Sequence, residues 1–291
     1  MVLEYLVNLI NAETHPRILI FHGFLYASLG IILGYWIFNE HSSLIMVFLT
    51  TMAAIPLIYN IIKVEEKKDL LDIQEANLLK EHSRALQVFM YYFIGTTLGF
   101  ALWYSVLPTS ITKDLFRVQI DTVLNIRSGV TAGAYESLGV FTSILANNLK
   151  VLIFCIIFSF LYGIGSVFIL TWNASVIGYA IGDTIKRGIY QLGVDFNIFV
   201  SHQYAGVVTC GLFRYAPHGI PEILAYFVAG LAGGIISTAA IRHDFGTKKY
   251  INIIMDSAVL LLLSLFLLVI SAWLEVYITP SLISFICPGI L

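Results

Sequence analysis

The stretch Pro217 to Ser237, PHGIPEILAYFVAGLAGGIIS, decides the fold, because it begins with prolines and ionisable side chains and then continues apolar. Proline is favoured at the first position of a helix, so Pro221 predicts a helix start. Glu222 then lies in the first turn, where the helix dipole favours a carboxylate. Small side chains recur at every fourth position of this helix: Ala225, Ala229, Gly233 and Ser237. Such a stripe allows close packing of a second helix in a membrane.

Two ionisable side chains, His218 and Glu222, stand at the start of this helix. One interpretation is structural, with a capping carboxylate and a histidine in a turn. The other is a polar site inside the membrane, because ionisable residues within membrane segments are rare and usually functional. The sequence leaves both interpretations open.

The composition places the whole chain in a membrane. Of 291 residues, 58% are hydrophobic and only 12% are charged, whereas soluble domains carry about 25% charged residues. Several runs reach the roughly 20 apolar residues that span a bilayer as a helix. The sequence therefore predicts an all-α, polytopic membrane protein with about six to seven membrane segments.

Charge and cysteine content exclude some functions and partners. The formal net charge is −2, and no basic run suggests binding of nucleic acid. The three cysteines, Cys155, Cys210 and Cys287, are too scattered for a disulfide framework or a metal motif, so we expect three buried thiols. The sequence predicts no metal and no cofactor.

Hydropathy and charge divide the chain into four parts: an interfacial helix over 1–17, a transmembrane hairpin over 18–62, a charged helix over 63–86 and a membrane domain over 87–291. The charged helix holds five of the 16 Lys and Arg residues. Because Lys and Arg determine topology and acidic residues contribute little to it, this loop and the N-terminus are predicted to be cytoplasmic, in a cell membrane.

The loop after the third span, over 108–142, is then external. Its apolar residues are expected to form one face of a helix lying on the membrane: Leu115, Phe116, Ile120, Val123 and Leu124. Further on, a span over 147–171 ends at a polar break, Trp172-Asn173-Ala174-Ser175. The break predicts a discontinuous or re-entrant helix. The segment 193–216 is expected to be a further crossing.

Polar residues within the apolar segments are the candidates for a functional site: Asn147, Asn148, Asn173, Asp183, Arg214, His218 and Glu222. A turn over Ala216–Pro221 would bring Arg214 towards Glu222 as an ion pair. No zinc-protease, nucleophile-elbow or phosphate-loop motif is present, so no catalytic residue is assigned. This favours a protein that is not an enzyme.

Three features, in order along the chain, carry a family resemblance. They are Asn147-Asn148 opening a span that continues to Gly163 and Gly165, Asn173 followed by the Gly178 region, and His218-Gly219 with Glu222 leading a helix through Gly233-Gly234. On these residues the chain resembles the stage II sporulation protein M family, over roughly 85–275. Three departures stand out: Ala174 where glycine is expected, a longer segment over 183–216, and the front hairpin as an addition.

The resemblance implies a multi-pass membrane protein. The family's namesake works in engulfment during sporulation, beside peptidoglycan-hydrolase partners. The first hypothesis is therefore a membrane scaffold that organises envelope proteins, with the lipid bilayer, other membrane proteins or a second copy of itself as partners. A transporter or channel that uses the break near Asn173 and the 214–222 segment is the alternative. An intramembrane enzyme that uses His218 and Glu222 ranks last.

Overall fold

The computed structural model describes residues 16–69, 78–132, 137–162, 166–191, 201–241 and 248–287. Residues 1–15 of the predicted interfacial helix, and 70–77 of the charged stretch over 63–86, therefore lie outside the described residues. The described chain forms these helices: α1 Ile18–Phe38, α2 Ser42–Asp69, α3 Leu78–Val106, α4 Thr109–Leu115, α5 Arg117–Ala132, α6 Ser137–Tyr162, α7 Ser166–Gln191, α8 Ser201–Ile241, α9 Lys248–Trp273 and α10 Thr279–Ile286.

Within the described residues, five stretches are long and apolar enough to cross a membrane: Ile18–Ile61, Leu86–Val106, Ser137–Phe160, Ala205–Ser237 and Tyr250–Ile286. The first of them contains α1 and most of α2, which a single 3₁₀ turn over Asn39–His41 connects. The prediction of an all-α polytopic membrane protein is confirmed.

Small residues allow the helices at the front of the bundle to approach closely. A Cβ atom on Gly99 of α3 would come within 2.9 Å of the Ala27 Cβ atom on α1. A Cβ atom on Gly34 of α1 would come within 3.2 Å of the Met46 backbone on α2. Without a hydrophobic driving force between helices in lipid, such close contact supplies much of the attraction.

Three contacts show how α7 runs alongside its neighbours. Gly178 packs against Phe100 on α3, in the half of α3 towards its C-terminal end. On α8, Val207 packs against Gly188 and Gly230 packs against Ser166. Helices α7 and α8 are therefore antiparallel, whereas α3 and α7 run in the same direction. The C-terminal ends of α3 and α7 and the N-terminal part of α8 lie at one end of the bundle.

The segment after α3 folds into the bundle at that end. Leu115 and Phe116 are completely buried, and the Phe116 ring lies edge-on to the Tyr104 ring at 5.2 Å. Val123 is also buried, whereas Leu124 is 52% exposed. The expectation that these residues form one face lying on the membrane is therefore wrong, because most of that face packs against protein.

A buried glutamine fixes this segment in place. Gln119 on α5 donates from Nε2 to the Ser43 carbonyl at 3.2 Å and to Ser175 Oγ at 3.1 Å. Its Oε1 accepts from Ser43 Oγ at 2.8 Å. Because both ends of the amide are hydrogen-bonded, Gln119 connects α5 to α2 and α7 without leaving its buried polar atoms unsatisfied.

The expected break at Asn173 is absent, since α7 is continuous from Ser166 to Gln191. The polar side chains bond to their own helix: Asn173 Nδ2 donates to the Ile169 carbonyl at 2.8 Å, and Ser175 Oγ to the Trp172 carbonyl at 2.7 Å. This local bonding allows polar residues to remain in a helix. The predicted span over 147–171 is also wrong in its bounds, because α6 ends at Tyr162 and α7 begins at Ser166.

The second boundary error concerns the prolines. Helix α8 is continuous from Ser201 to Ile241 and contains both Pro217 and Pro221. No new helix begins there, and the predicted turn over Ala216–Pro221 is absent. A proline inside a helix removes one backbone hydrogen bond. In a membrane, neighbouring helices can satisfy the backbone groups near it, so the helix continues.

The cysteine prediction is wrong for two of the three thiols. Cys210 on α8 and Cys287 after α10 form a disulfide, with their Cα atoms 5.8 Å apart. They are 77 positions apart in sequence, and they meet because the chain after α9 folds back onto α8. Cys155 on α6 is a buried free thiol, as expected.

Candidate functional site

Two glutamates from different elements lie where α8 packs against the end of α9. Glu222 is on α8, and Glu275 is in a π-helical turn, Leu274–Ile278, that continues α9. One turn before Glu222, His218 contacts Ser271 and Thr279, which lie on either side of Glu275 in sequence. Each residue of a helix adds about 1.5 Å along its axis. Along α8, Glu222 therefore lies about 22 Å after Val207 and about 12 Å before Gly230, the two residues that contact α7. Glu222 therefore lies well inside the apolar stretch Ala205–Ser237.

Glu222 has a hydroxyl partner on its own helix. The Tyr226 hydroxyl donates to Glu222 Oε1 at 3.0 Å, and Tyr226 is completely buried. Residues four apart on a helix lie on the same face. Tyr226 and Cys155 on α6 belong to the same buried core cluster.

An asparagine on α6 completes the surroundings of Glu222. The Asn148 side chain is 6% exposed and lies near enough to interact with the Glu222 carboxylate. Its Nδ2 atom nevertheless has no hydrogen-bond partner of normal geometry among the described residues. Its Oδ1 atom accepts from Asn147 Nδ2 at 3.5 Å. The Asn148 amide on α6 is therefore a buried N–H donor without a direct partner among the described residues.

The backbone turn that carries Glu275 is unusual. The Thr279 backbone N–H and its Oγ1 both donate to the Leu274 carbonyl, Oγ1 at 3.0 Å. A π-helical turn inserts an extra residue into a helix, and such turns occur often at functional sites. Among the described residues, no Lys, Arg or His side chain forms an ion pair with Glu222 or Glu275.

His218 lies one helical turn before Glu222 and binds the same π-helical region. Its Nδ1 is 3.2 Å from Thr279 Oγ1, and its backbone carbonyl accepts from Ser271 Oγ at 2.8 Å. The threonine hydroxyl has one hydrogen, which it donates to the Leu274 carbonyl. Because that hydrogen is used, the contact between Thr279 Oγ1 and His218 is a hydrogen bond only when His218 Nδ1 carries a proton and donates it to Thr279 Oγ1.

The structure brings together some of the predicted polar residues and separates others. Glu222, Asn148, Asn147 and His218 form one cluster with Glu275 and Tyr226. Arg214 precedes Glu222 by about 12 Å on the same helix, and no ion pair joins them in the described structure. Asn173 bonds to its own helix on α7. Asp183 lies elsewhere, where its Oδ2 accepts from Arg187 Nε at 2.9 Å.

Sequence reasoning missed Glu275 and Tyr226. Glu275 stands at the end of the long apolar run that begins near residue 250, which made it resemble an interfacial residue. Tyr226 follows Glu222 by four positions, and that spacing was a usable signal for a hydrogen bond along the helix.

The small-residue stripe faces the protein interior. Ala225 and Ala229 are completely buried, and Ser237 is also buried. A Cβ atom on Gly233 would come within 2.9 Å of the Ser159 Cβ atom and 3.0 Å of the Ile156 carbonyl oxygen on α6. The stripe therefore includes a close contact between α8 and α6, the two helices that carry Glu222 and Asn148.

No group of three or more His, Cys, Asp or Glu side chains in the described ranges is arranged to hold a metal ion. The carboxyl and amide groups of the cluster instead offer hydrogen bonding and proton exchange. This arrangement defines a class: a polytopic helical membrane protein with a buried polar cluster between three helices.

Comparison with known proteins gives the family. The family model described as Stage II sporulation protein M matches residues 24–280, so this chain belongs to the stage II sporulation protein M family. The match begins within α1, which means that the front hairpin is part of the family pattern and not an addition to it. An uncharacterized protein of Methanocaldococcus jannaschii is 30% identical over 149 residues, which are 50% of this chain and 74% of that protein. No solved structure matches.

Proposed function

We propose that the protein is an integral membrane scaffold of the cell membrane that holds a fixed external surface for other envelope proteins. The observation that carries this proposal is the docking of α4 and α5 into the bundle through Gln119. A segment fixed to α2 and α7 by three hydrogen bonds presents its exposed side in one orientation. A preorganised surface of this kind reduces the entropy cost of binding a partner.

The exposed side of this segment has polar chemistry. An open depression lies between the turn after α1 and helices α4 and α5, and five residues line it: Asn39, Glu40, His41, Asp114 and Arg117. Side chains of both charges stand here, which suits a polar partner surface. Electrostatic complementarity at such a surface contributes specificity and association rate more than affinity.

Two independent observations support an external location for this surface. The charged stretch over 63–86 begins at the end of α2 that is opposite to Ser43 and holds five Lys and Arg residues. Lys and Arg keep such a loop in the cytoplasm, whereas Asp and Glu contribute little to topology. The Cys210–Cys287 disulfide lies at the same end of the bundle as Gln119. Disulfides persist mainly in oxidising compartments outside the cytoplasm. We therefore keep the N-terminus and the 63–86 loop in the cytoplasm.

Photo-crosslinking in the cells that make the protein tests the scaffold proposal. A benzophenone amino acid replaces Glu40 or Asp114 at the external depression, and Phe266 serves as the control because it is 62% exposed on the apolar helix α9. We expect defined protein adducts, reproducible by mass spectrometry, from Glu40 and Asp114. Protein adducts from Phe266 alone, or none from the depression, would contradict the proposal.

A transporter or channel remains the second candidate, because Glu222 and Glu275 lie inside the apolar part of the bundle and Pro217 and Pro221 interrupt the backbone bonding of α8 beside them. Ionisable residues at this depth mark ion or proton pathways in many membrane proteins. The test is flux into liposomes that contain the purified protein and a trapped pH-sensitive dye. A proton flux that the Glu222→Gln variant lacks would favour transport over a scaffold role.

A further inference from the structure

Pro108 follows helix α3 and removes a backbone donor at that point. In a helix, the Tyr104 carbonyl accepts from the N–H of the residue four positions later, which here is Pro108 and has no N–H. The backbone N–H groups of Ile111 and Thr112 both donate to the Pro108 carbonyl, at 3.1 and 3.0 Å. The carbonyls at the end of α3, those of Tyr104 and Leu107, therefore need donors from elsewhere in the chain.

The side chain of Lys186, on α7, supplies these donors. Its Nζ donates to the Leu107 carbonyl at 2.7 Å and to the Tyr104 carbonyl at 3.4 Å. It also donates to Thr112 Oγ1 on α4 at 3.4 Å. An ammonium group has three N–H donors, so one side chain can serve all three oxygens. Lys186 thereby connects the end of α3 with α4 and α7.

The charge of Lys186 strengthens this contact. Carbonyls at the C-terminal end of a helix carry the negative end of the helix dipole, which favours a cation, and a charged donor makes stronger hydrogen bonds than a neutral one. The Nζ atom also lies 5.1 Å from the centre of the Tyr104 ring, within the range of a cation–π interaction. The carboxylate of Asp183, one turn earlier on α7, instead accepts from Arg187 Nε at 2.9 Å.

The contact lies next to the external depression. Asp114 and Arg117, two of the residues that line the depression, follow Thr112 and precede Gln119 in sequence. Gln119 fixes the chain after them to α2 and α7. Lys186 fixes the chain before them to α3 and α7. The segment with these two charged side chains is thus held on both sides, and α7 takes part in both attachments.

We propose that Lys186 is a positioning residue for the external surface. Its ammonium group replaces the donor that Pro108 lacks and so holds α4, with Asp114, in one orientation. Release of α4 would increase the entropy cost of binding a partner at the depression. The biological role of Lys186 rests on the proposed scaffold function, whereas its hold on α4 can be measured without a partner.

Limited proteolysis with chemical rescue tests the proposal. The purified full chain in detergent, as wild type and as Lys186→Ala, is treated with chymotrypsin, and mass spectrometry follows cleavage within 108–132. The n-propylammonium ion replaces the part of the side chain that Lys186→Ala removes. Tetramethylammonium at the same concentration supplies a cation without N–H donors. The control variant is Lys150→Ala, because Lys150 is exposed on α6.

We expect cleavage to be roughly tenfold faster in Lys186→Ala, because hydrogen bonds from a charged donor are lost. Propylammonium should restore slow cleavage, whereas tetramethylammonium should not, and Lys150→Ala should match the wild type. Cleavage of Lys186→Ala at the wild-type rate, or no difference between the two ions, would overturn the proposal. That result would leave crosslinking from the depression unaffected, so the scaffold proposal and this one can fail separately.

Thr112→Val provides a second measurement if Lys186→Ala does not fold. Valine has nearly the shape of threonine but no hydroxyl oxygen, so the substitution removes the acceptor on α4 and leaves Lys186 in place. We expect faster cleavage within 108–132, by a smaller factor than in Lys186→Ala. The matched control is Thr122→Val, because the Thr122 hydroxyl donates to the Val118 carbonyl of its own helix. Equal cleavage of the two threonine variants would overturn the proposed attachment of α4 to α7.

Discussion

Cys210 and Cys287 are joined by a disulfide that fixes the chain after α10 to the N-terminal part of α8. Between these two cysteines lie Glu222 on α8, Glu275 in the π-helical turn and Thr279, which contacts His218. The covalent bond therefore closes a loop that contains most of the polar cluster.

We expect Cys287→Ser to lower the free energy of unfolding by about 2–5 kcal/mol, the usual effect of removing a native disulfide. Thermal unfolding in detergent measures the loss. Reduction of the wild-type protein should produce a similar shift without any substitution, and the Cys287→Ser variant should no longer respond to the reductant. A response that survives in the variant would mean that another bond is being reduced.

Substitution of two glycines on α8 should have opposite effects. Gly233→Ala places a Cβ atom against Ser159 and Ile156 on α6, and such overpacking typically costs 1–3 kcal/mol. Gly219→Ala meets no atom within 4 Å, so the higher helix propensity of alanine should leave stability unchanged or raise it by up to about 1 kcal/mol. Thermal unfolding of both variants in the same detergent gives the comparison, and equal effects would contradict the close contact of α8 with α6.

Gln119→Ala should release the segment α4–α5 from the bundle. The substitution removes the three hydrogen bonds that Gln119 makes with Ser43 and Ser175 and creates a cavity, with an expected cost of about 2–4 kcal/mol. Limited proteolysis from the external side should cut this segment faster in the variant. The matched control is Gln87→Ala, because Gln87 is exposed on α3. Unchanged cleavage would show that apolar contacts alone hold the segment.

Glu222 should be coupled to Tyr226 and not to Arg214. The Tyr226 hydroxyl donates directly to Glu222, so Tyr226→Phe and Glu222→Gln should deviate from additivity by roughly 0.5–3 kcal/mol. The effects of Arg214→Gln and Glu222→Gln should add within about 0.5 kcal/mol, since the two residues lie two turns apart and no ion pair joins them among the described residues. Double-mutant cycles in thermal unfolding measure both couplings, and strong coupling of Arg214 would restore the ion pair that the sequence suggested.

Introduced cysteines test the orientation. An impermeant thiol reagent applied to intact cells should modify a cysteine at Glu40, in the exposed turn after α1, and should not modify one at Lys67, near the C-terminal end of α2. Cys155 is buried and the other two native cysteines are bonded, so the native background should be low. The reverse pattern would place the 63–86 stretch outside the cell.

The apolar runs made the fold class predictable, since helices of about 20 apolar residues follow from the bilayer itself. Glu222 and Asn148 could be selected from the sequence as candidates for a polar site because polar groups in such runs are costly. The helix boundaries were less predictable. Pro217 and Asn173 would mark ends or breaks in water. Here Ser271 on α9 donates to the backbone beside Pro217, and Asn173 donates to its own helix.

The register between distant helices could not be predicted from local sequence. The Cys210–Cys287 bond and the contact of Thr279 with His218 both depend on how the chain after α9 folds back onto α8. The π-helical turn also rotates Glu275 relative to a regular helix, so its direction does not follow from the spacing of apolar residues.

The length of α8 has a consequence for the lipid. The apolar stretch Ala205–Ser237 has 33 residues and, at 1.5 Å per residue, measures about 50 Å, compared with a hydrocarbon core of about 30 Å. Hydrophobic mismatch of this size is relieved by helix tilt, by bending at Pro217 and Pro221, or by local thickening of the bilayer. The acyl-chain length of the surrounding lipids therefore becomes a variable that sets the shape of this helix and the membranes in which the protein accumulates.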